Sequence, residues 1–312
     1  MHMIWVLSLN PCIDKTVALE RFEMDSANRV KVIREDAGGK GMNVARMLKN
    51  LGAKVRLHGF TFAGTPAVLE KALADSRVPA ALIPCPGALR VNLKIQDASR
   101  NCTIEINEES APVTPFKLQE MENQVLSSLQ KGDYLVLTGS LPKGAPAAYY
   151  RTLCEKAHEK GCFVAADCDG EALREVLKAA PDLIKPNEQE LRKLLNRDIS
   201  SVQEALPHLR KLLQDTGVSM ICHSRGKEGA LMVTRDEAVF CPTIDVPVRG
   251  VYGAGDAMLA AVCHALADGQ SASDALCLGV SASCATIMLP GTSMAEGESV
   301  RKLLARCTPI RY

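Results

Sequence analysis

Hydrophobic and polar positions along the chain follow two patterns, short apolar runs and longer stretches with helical spacing. The apolar runs predict buried strands at residues 4–9, 54–59, 134–137, 162–166 and 219–222. A helix is predicted over residues 41–51, since Gly52 follows as a terminating glycine, and further helices follow Pro146 and begin at Glu171. Strands separated by helices of ten or more residues indicate a parallel sheet that is covered on both faces. The pattern therefore predicts an α/β fold.

Two regions depart from this rhythm, residues 16–34 and residues 90–106. The second contains two alternating runs around residues 97–99, which is typical of a β-hairpin. Neither region fits the interior of a parallel sheet. We expect the two regions to form a small sheet that stands off the main body as a lid, and the alternative is a pair of decorative surface hairpins.

The domain organisation predicted from the sequence is simple. The chain has 312 residues and shows no repeat, low-complexity segment or linker. We expect one domain over residues 1–312, with lid segments near residues 12–36 and 88–108.

Composition narrows the class of partner. The 37 basic and 36 acidic side chains give a net charge of +1, so no global charge favours nucleic acid or an anionic membrane. The chain starts directly with strand-like sequence, without a basic leader, and no apolar run reaches the length of a membrane span. The 12 cysteines are scattered without a C-x-x-C pair, which disfavours a disulfide framework or a zinc site. We expect reduced, mostly buried thiols and a cytoplasmic protein that binds neither nucleic acid nor membrane.

The run Gly-Ala-Gly-Asp at residues 253–256 is the main candidate for a catalytic motif. It follows an extended stretch, residues 246–251, and precedes a predicted helix over residues 257–267. Glycines at such a junction let a ligand approach the backbone, and the free N–H groups of a helix start bind anions. Phosphoryl transfer needs such donors and also a base beside the attacking hydroxyl, and Asp256 could serve as that base. Alternatively, Asp256 is an ordinary helix cap. The run is not a Walker A loop, because no Gly-Lys-Ser/Thr follows.

Further polar residues accompany this run. Asp14 follows the first strand, where ligand-binding groups collect in α/β sheets, and its carboxylate could accept hydrogen bonds from sugar hydroxyls. Residues 38–43 enter the first long helix, with glycines that permit close approach, Lys40 for a phosphate and Asn43 for hydroxyls. A solvated Lys40 at a helix start is the alternative.

Two later segments suit a nucleotide. Asn187 is placed to cap a helix after Pro186, and carboxylates in that first turn would suit hydrated Mg²⁺ beside nucleotide phosphates. Residues 223–226 follow another strand, and Gly229 begins the next one. This turn could border a nucleotide, although turns without ligands look the same.

In this order the segments resemble the ribokinase-like (PfkB) carbohydrate kinases over essentially the whole chain. Residues 253–256 match the carboxy-terminal signature of that family, and residues 38–45 match the amino-terminal one. The branch that contains the 1-phosphofructokinases and tagatose-6-phosphate kinases is the most similar. Its further motifs are matched by residues 10–14 (Asn-Pro-x-x-Asp), 28–29 (Asn-Arg), 139–144 (Gly-Ser-Leu-Pro-x-Gly) and 185–190 (Lys-Pro-Asn-x-x-Glu).

The resemblance implies a three-layer α/β/α fold with a mainly parallel central sheet and a small β-sheet lid. It also implies a possible homodimer, because members of the family often dimerise through that lid. It implies ATP and Mg²⁺ as cofactors and a small sugar phosphate as substrate. Asp256 would be the catalytic base, and the backbone N–H groups beside it would stabilise the transferred phosphoryl group. The implied catalytic residues are Gly253, Ala254, Gly255 and Asp256; those for the sugar and its phosphate are Asp14, Arg29, Gly38, Gly39, Lys40, Asn43 and Arg90. The nucleotide would be bordered by Lys185, Asn187, Ser224, Gly226 and Gly229, and Glu190 would act on the metal through water.

The expected reaction is phosphorylation of a hexose phosphate, with D-fructose 1-phosphate converted to fructose 1,6-bisphosphate. Tagatose 6-phosphate is the alternative substrate, and a non-catalytic sugar-phosphate sensor on the same fold is the alternative from another class. The sequence departs from the family pattern at Ala257, where Ser or Thr is usual, at residues 107–110 and at residues 61–64.

Overall fold

The structure is a computed structural model that describes residues 2–64, 66–100 and 102–312. Its strands are β1 (Ile4–Ser8), β2 (Cys12–Leu19), β3 (Lys31–Gly38), β4 (Val55–Phe62), β5 (Ala80–Cys85), β6 (Arg90–Asp97), β7 (Cys102–Asn107), β8 (Tyr134–Thr138), β9 (Phe163–Asp167), β10 (Leu183–Ile184), β11 (Met220–Ser224), β12 (Gly229–Thr234), β13 (Ala238–Pro242) and β14 (Ile310–Arg311). Its helices are α1 (Lys40–Asn50), α2 (Pro66–Ser76), α3 (Pro115–Ser128), α4 (Tyr149–Glu159), α5 (Gly170–Leu177), α6 (Glu188–Leu195), α7 (Val202–Thr216), α8 (Ala254–Ala267), α9 (Ala272–Ile287) and α10 (Gly297–Leu304).

The central sheet has ten strands in the order β5-β4-β1-β8-β9-β10-β11-β12-β13-β14. Neighbours from β5 to β11 are parallel, and the last three pairings are antiparallel. β1 is completely buried, and Val6 lies between Leu57 of β4 and Val136 of β8. Such an uninterrupted apolar strand is expected where helices cover both faces of a parallel sheet.

Two groups of helices pack on this sheet. α1, α8, α9 and α10 contact one another, and α3, α4, α5 and α6 form a second connected group. The predicted α/β/α architecture with a mainly parallel sheet is thereby confirmed. No helix in the described ranges is both long enough and apolar enough to cross a bilayer.

The two segments that depart from the α/β rhythm form one separate sheet, which we call the lid. Its four strands lie in the order β3-β2-β6-β7, with β2 parallel to β6 and the other two pairs antiparallel. Val17, Leu19 and Ile95 form a small core of its own. The predicted hairpin corresponds to β6 and β7.

One predicted boundary was wrong. α8 begins at Ala254 rather than at residue 257, and the preceding residues 246–251 join no strand. Gly253 is the N-cap and has a φ of 77°, a left-handed conformation that glycine adopts without strain. The helix therefore starts immediately after this turn, and two residues of low helix propensity lie inside it.

All twelve cysteines are free thiols, and ten of them are buried, as the composition predicted. Three of them are not scattered in space. The sulfur atoms of Cys241, Cys277 and Cys307 lie within 4.8 Å of one another. These residues belong to β13, α9 and the segment after α10, so the chain-wide spacing gave no sign of the group.

Candidate active site

The candidate site lies at the carboxyl ends of four neighbouring strands of the central sheet. Asn10 follows β1, Ser140 follows β8, Asp167 ends β9, and Lys185 follows β10. The carboxyl edge is where α/β sheets bind ligands, because the loops that leave parallel strands converge there. The N-terminus of α8 and the lid complete the surroundings of this cleft.

Asp256 lies in the first turn of α8 and is only 7% exposed. Burial raises the pKa of its carboxyl from 3.8 to about 6, although the nearby Lys40 opposes that shift. Asn43 donates a hydrogen bond from Nδ2 to Asp256 Oδ2 at 2.8 Å. Asn43 was expected to hold sugar hydroxyls from α1, and the structure brings it to Asp256, the predicted base. Its Oδ1 is buried and has no hydrogen-bond partner among the described residues, so it is available to a substrate hydroxyl.

The turn before Asp256 needs glycine at residue 253 because of its φ of 77°. A Cβ there would also lie 2.4 Å from Met294 Cε, the end of a flexible side chain, and a Cβ at Gly255 would lie 3.4 Å from Lys185 Nζ, in ordinary van der Waals contact. The first N–H groups of any helix lack intrahelical partners, so those at residues 254–256 form an anion site beside the Lys185 ammonium. The alternative that Asp256 is only a helix cap does not fit, because Gly253 occupies that position.

Asp167 is the centre of the charged part of the site, and the sequence reasoning missed it. Its carboxylate is 2% exposed and faces two ammonium groups, with Lys40 Nζ 3.4 Å from Oδ1 and Lys185 Nζ 3.4 Å from Oδ2. Burial acts to raise its pKa, but the two lysines prevail and hold the pKa below its usual value. Asp167 in turn raises the pKa of Lys40, so this lysine stays charged.

Asp167 and Glu190 offer oxygen ligands of the kind that Mg²⁺ prefers. Asp167 Oδ2 is buried and faces Lys185 Nζ at 3.4 Å, and Lys40 Nζ lies 3.9 Å from Glu190 Oε1. Burial and the charge of Asp167 raise the pKa of Glu190, as expected for two carboxylates that share a cleft. The donor set therefore fits a hydrated divalent cation that would relieve this repulsion.

The lid places Asp14 at the other end of the cleft. Its carboxylate, in β2, is buried and accepts a hydrogen bond from Asn92 Nδ2 at 3.1 Å. A Cβ at Gly38 would lie 2.4 Å from Asp14 Oδ2, so the glycine is required for the carboxylate to lie against the backbone. Gly39 has a φ of 110° and turns the chain from β3 into α1.

Arg90 is held by a network that the sequence did not reveal. Its Nε donates to Asn10 Oδ1 at 2.9 Å, and Asn10 Nδ2 donates to Ser140 Oγ at 3.0 Å. These three residues line a cavity of about 340 Å³, together with Lys143 and the carboxylates of Glu108 and Glu109. The guanidinium, the hydroxyl and the amide would suit a phosphate group, whereas the Lys143 ammonium already pairs with Glu109 at 2.9 Å. Asn10 belongs to the Asn-Pro-x-x-Asp motif and Ser140 to the Gly-Ser-Leu-Pro-x-Gly motif, so both residues could have been predicted from the sequence.

The structure does not bring every predicted phosphate ligand to this cavity. Arg29 is exposed in the segment between β2 and β3 and has no ion pair with a described residue. Lys40 has Asp167 and Glu190 as its ion-pair partners, on the side of the cleft that holds Lys185.

The predicted nucleotide residues border one another. Asn187 caps α6 and exchanges hydrogen bonds with Glu190 in a capping box, and it also bridges to Ser224. Gly226 has a φ of 51° and open space where a Cβ would lie, so a ligand can approach its backbone. Glycine is required at residue 229 for a different reason, because a Cβ there would lie 2.1 Å from the Cys241 carbonyl oxygen of β13.

Comparisons with known proteins show the family to which the chain belongs. The profile of the pfkB family carbohydrate kinase matches residues 7–296. A 1-phosphofructokinase of Rhodobacter capsulatus is 36% identical over 263 residues, which cover 84% of this chain and 83% of that protein. A tagatose-6-phosphate kinase of Staphylococcus epidermidis is 30% identical over 283 residues, 86% of this chain and 87% of that protein. The crystal structure of phosphofructokinase-2 from Escherichia coli in complex with fructose-6-phosphate superposes with a TM-score of 0.90 and 26% identity, and covers 98% of this chain and 99% of that one.

Proposed function

Because the chain belongs to the pfkB family of carbohydrate kinases, as its motifs predicted, we propose that it transfers the γ-phosphoryl group of ATP to a hydroxyl of a hexose phosphate. The observation that carries this proposal is Asp256, a buried carboxylate at a helix N-terminus. With a pKa raised to about 6, Asp256 is ionised at neutral pH and is more basic than an ordinary aspartate. A base of that strength is suited to accept the proton of a sugar hydroxyl during attack.

The residues around Asp256 would stabilise the charge of the group in transfer. The N–H groups at residues 254–256 and the Lys185 ammonium lie together at the start of α8. Asp14 would hold sugar hydroxyls at the lid, and Asn43 would orient both the base and the substrate. Positioning and electrostatic stabilisation of this kind supply most of the catalysis in phosphoryl transfer.

The acceptor that fits best is D-fructose 1-phosphate, with fructose 1,6-bisphosphate as product. The cavity at Arg90, Asn10 and Ser140 would supply a second anion site apart from Asp256, which supports a sugar that already carries a phosphate. The 36%-identical relative named 1-phosphofructokinase supports the 1-phosphate, and the 30%-identical tagatose-6-phosphate kinase supports tagatose 6-phosphate as the second candidate.

A coupled assay of ADP release tests the proposal on a panel of fructose 1-phosphate, fructose 6-phosphate, tagatose 6-phosphate, fructose and a nucleoside. We expect the highest kcat/KM with fructose 1-phosphate. Activity on unphosphorylated acceptors alone would refute the second anion site. The non-catalytic sensor predicts sugar-phosphate binding with no turnover of any acceptor by the wild-type protein.

We propose that Asp167 and Glu190 hold Mg²⁺, with water completing its coordination. The ion would neutralise charge on the nucleotide phosphates when bound. Lys40 and Lys185 would remain beside Asp167 to contact the same phosphates. This assignment rests on two carboxylates that share the cleft, the buried Asp167 and Glu190, whose pKa is raised by burial and by the charge of Asp167.

We also propose a homodimer through the lid and a reducing, cytoplasmic setting. Val32, Ile33 and Ile106 on lid strands are 49%, 51% and 51% exposed, an apolar surface that a second copy would cover. Ile33→Asp should then shift the mass measured by light scattering from dimer to monomer. Phe116→Asp on α3, where the ring is 75% exposed, is the matched control and should leave the mass unchanged.

The cytoplasmic setting is supported by twelve free thiols.

A further inference from the structure

Lys94, in the middle of the lid strand β6, is a buried lysine that the sequence motifs did not single out. It is only 5% exposed, and its ammonium lies 3.4 Å from Asp14 Oδ2. The same ammonium lies 3.7 Å from the centroid of the Tyr252 ring. A charge so far removed from water needs compensating partners, and here they are one carboxylate and one aromatic face.

The lid strand presents this lysine to the cleft. Arg90, Asn92 and Lys94 are alternate residues of β6, so their side chains share one face of the lid. Arg90 belongs to the proposed phosphate cavity, and Asn92 donates to Asp14. Lys94 therefore continues the line of substrate-facing residues toward α8.

Tyr252 connects this line to the catalytic helix. It directly precedes Gly253, the N-cap of α8. Burial raises the pKa of its hydroxyl to about 12, and the neighbouring Glu105 carboxylate adds to the rise. Glu105 lies opposite Lys94 in the β6–β7 register, so the ring lies against the cleft face of the lid. The contact between Lys94 and Tyr252 thus joins the lid to the helix that carries Asp256.

We infer that Lys94 is a positioning residue of the proposed kinase reaction: it holds Asp14 toward the sugar and, through the Tyr252 ring, couples the lid to the start of α8. Without the ammonium, Asp14 Oδ2 loses the cation that faces it, and only hydrogen bonding at Oδ1, such as that from Asn92, holds the buried carboxylate toward the sugar. Without the Tyr252 ring, the lid loses an attractive contact with the residue that directly precedes the N-cap of α8. This inference rests on the proposed function.

Steady-state kinetics of Lys94→Met, measured with the sugar phosphate that the wild type prefers, test the role at Asp14. We expect KM for the sugar phosphate to rise at least tenfold while KM for ATP changes less than twofold, because Lys94 faces only the sugar side. Lys94→Arg keeps the positive charge and should recover part of the affinity. Lys31→Met, at an exposed lysine of the lid strand β3, is the matched control and should behave as the wild type.

The coupling to α8 is tested at Tyr252. We expect Tyr252→Phe to retain activity and Tyr252→Leu to lower kcat/KM by about three- to thirtyfold, the range of a partly desolvated cation–π contact. If the two groups act through one contact, the loss in Lys94→Met/Tyr252→Leu should be smaller than the product of the two single losses. Multiplicative losses would overturn the coupling.

The outcomes separate this inference from the proposed function. A wild-type protein that turns over no sugar phosphate would refute the kinase itself. An active wild type whose Lys94→Met variant is folded by circular dichroism and keeps its KM for the sugar would overturn only the role of Lys94. If Lys94→Met does not fold, the KM values of Lys94→Arg and Tyr252→Leu for the sugar phosphate and for ATP test the role of Lys94 instead. Equal changes in the KM values for both substrates in those variants would indicate a structural role and overturn the inference.

Discussion

Asp256→Asn should make the unliganded protein more stable while it abolishes most of the activity. A carboxylate that is 7% exposed is costly to ionise, which is why its pKa rises from 3.8 to about 6. When folding raises the pKa of an aspartate, ionisation of its carboxyl lowers the free energy of unfolding. This loss is absent below the pKa of the unfolded state and fully present above the pKa of the folded state. The neutral amide removes that cost. Stabilisation by the substitution should therefore grow as the pH rises.

The magnitude follows from the shift. A rise of about two pKa units corresponds to about 3 kcal/mol at pH 8 and to about half of that at pH 5, where the folded carboxyl is mostly protonated. For 312 residues the unfolding entropy is about 0.65 kcal/mol/K, so the midpoint should rise by about 4–5 °C at pH 8. The kcat should fall by about 10²–10⁴-fold, the usual contribution of a general base.

Thermal unfolding followed by circular dichroism at pH 5 and pH 8, without ligands, measures the effect. Asp236→Asn is the matched control, since Asp236 is exposed in the turn between β12 and β13 and should change the midpoint little at either pH. A destabilised Asp256→Asn protein at pH 8, or a gain of equal size at both pH values, would refute the argument from burial.

Three further outcomes are expected. The kcat/KM of the wild type should fall tenfold per pH unit below about pH 6, because protonated Asp256 cannot accept the hydroxyl proton; a flat profile down to pH 5 would contradict its role as base. Arg90→Met should raise KM for the sugar phosphate by about tenfold or more, as expected for the loss of a charge-assisted hydrogen bond, and should leave KM for ATP unchanged. Equal effects on the two KM values would show that Arg90 does not bind the phosphate of the sugar. Asp167→Asn should raise the Mg²⁺ concentration needed for half-maximal rate by about tenfold; an unchanged requirement would exclude Asp167 as a metal ligand.

The strands and the lid could be predicted because their signals are local. Buried parallel strands are apolar runs, and the hairpin of β6 and β7 alternates in polarity. The start of α8 was misplaced because Gly255 and Asp256 have low helix propensity, whereas the turn at Gly253 requires the helix to begin directly after it. Tertiary context outweighed propensity there.

The site was predictable where a motif was contiguous and not where the fold assembles it. Asp256, Asn43 and Lys185 belong to short motifs and do meet in space. Asp167 ends a strand without any accompanying motif, and only the sheet order brings it between two lysines. The contact of Lys94 with Tyr252 joins residues 158 positions apart (252 − 94), which no local pattern can indicate.

The place of β1 at the centre of the sheet has a consequence for synthesis of the chain. β1 leaves the ribosome before the strands that flank it, and it acquires its first neighbour once β4 is complete at Phe62. Its other edge pairs with β8, which ends at Thr138, so at about 5–20 residues per second that edge stays open for about 4–15 s after β4 is complete. An unpaired apolar edge can template pairing with other chains. Slow translation between these strands should therefore lower the soluble yield, and a chaperone that shields the nascent edge should restore it.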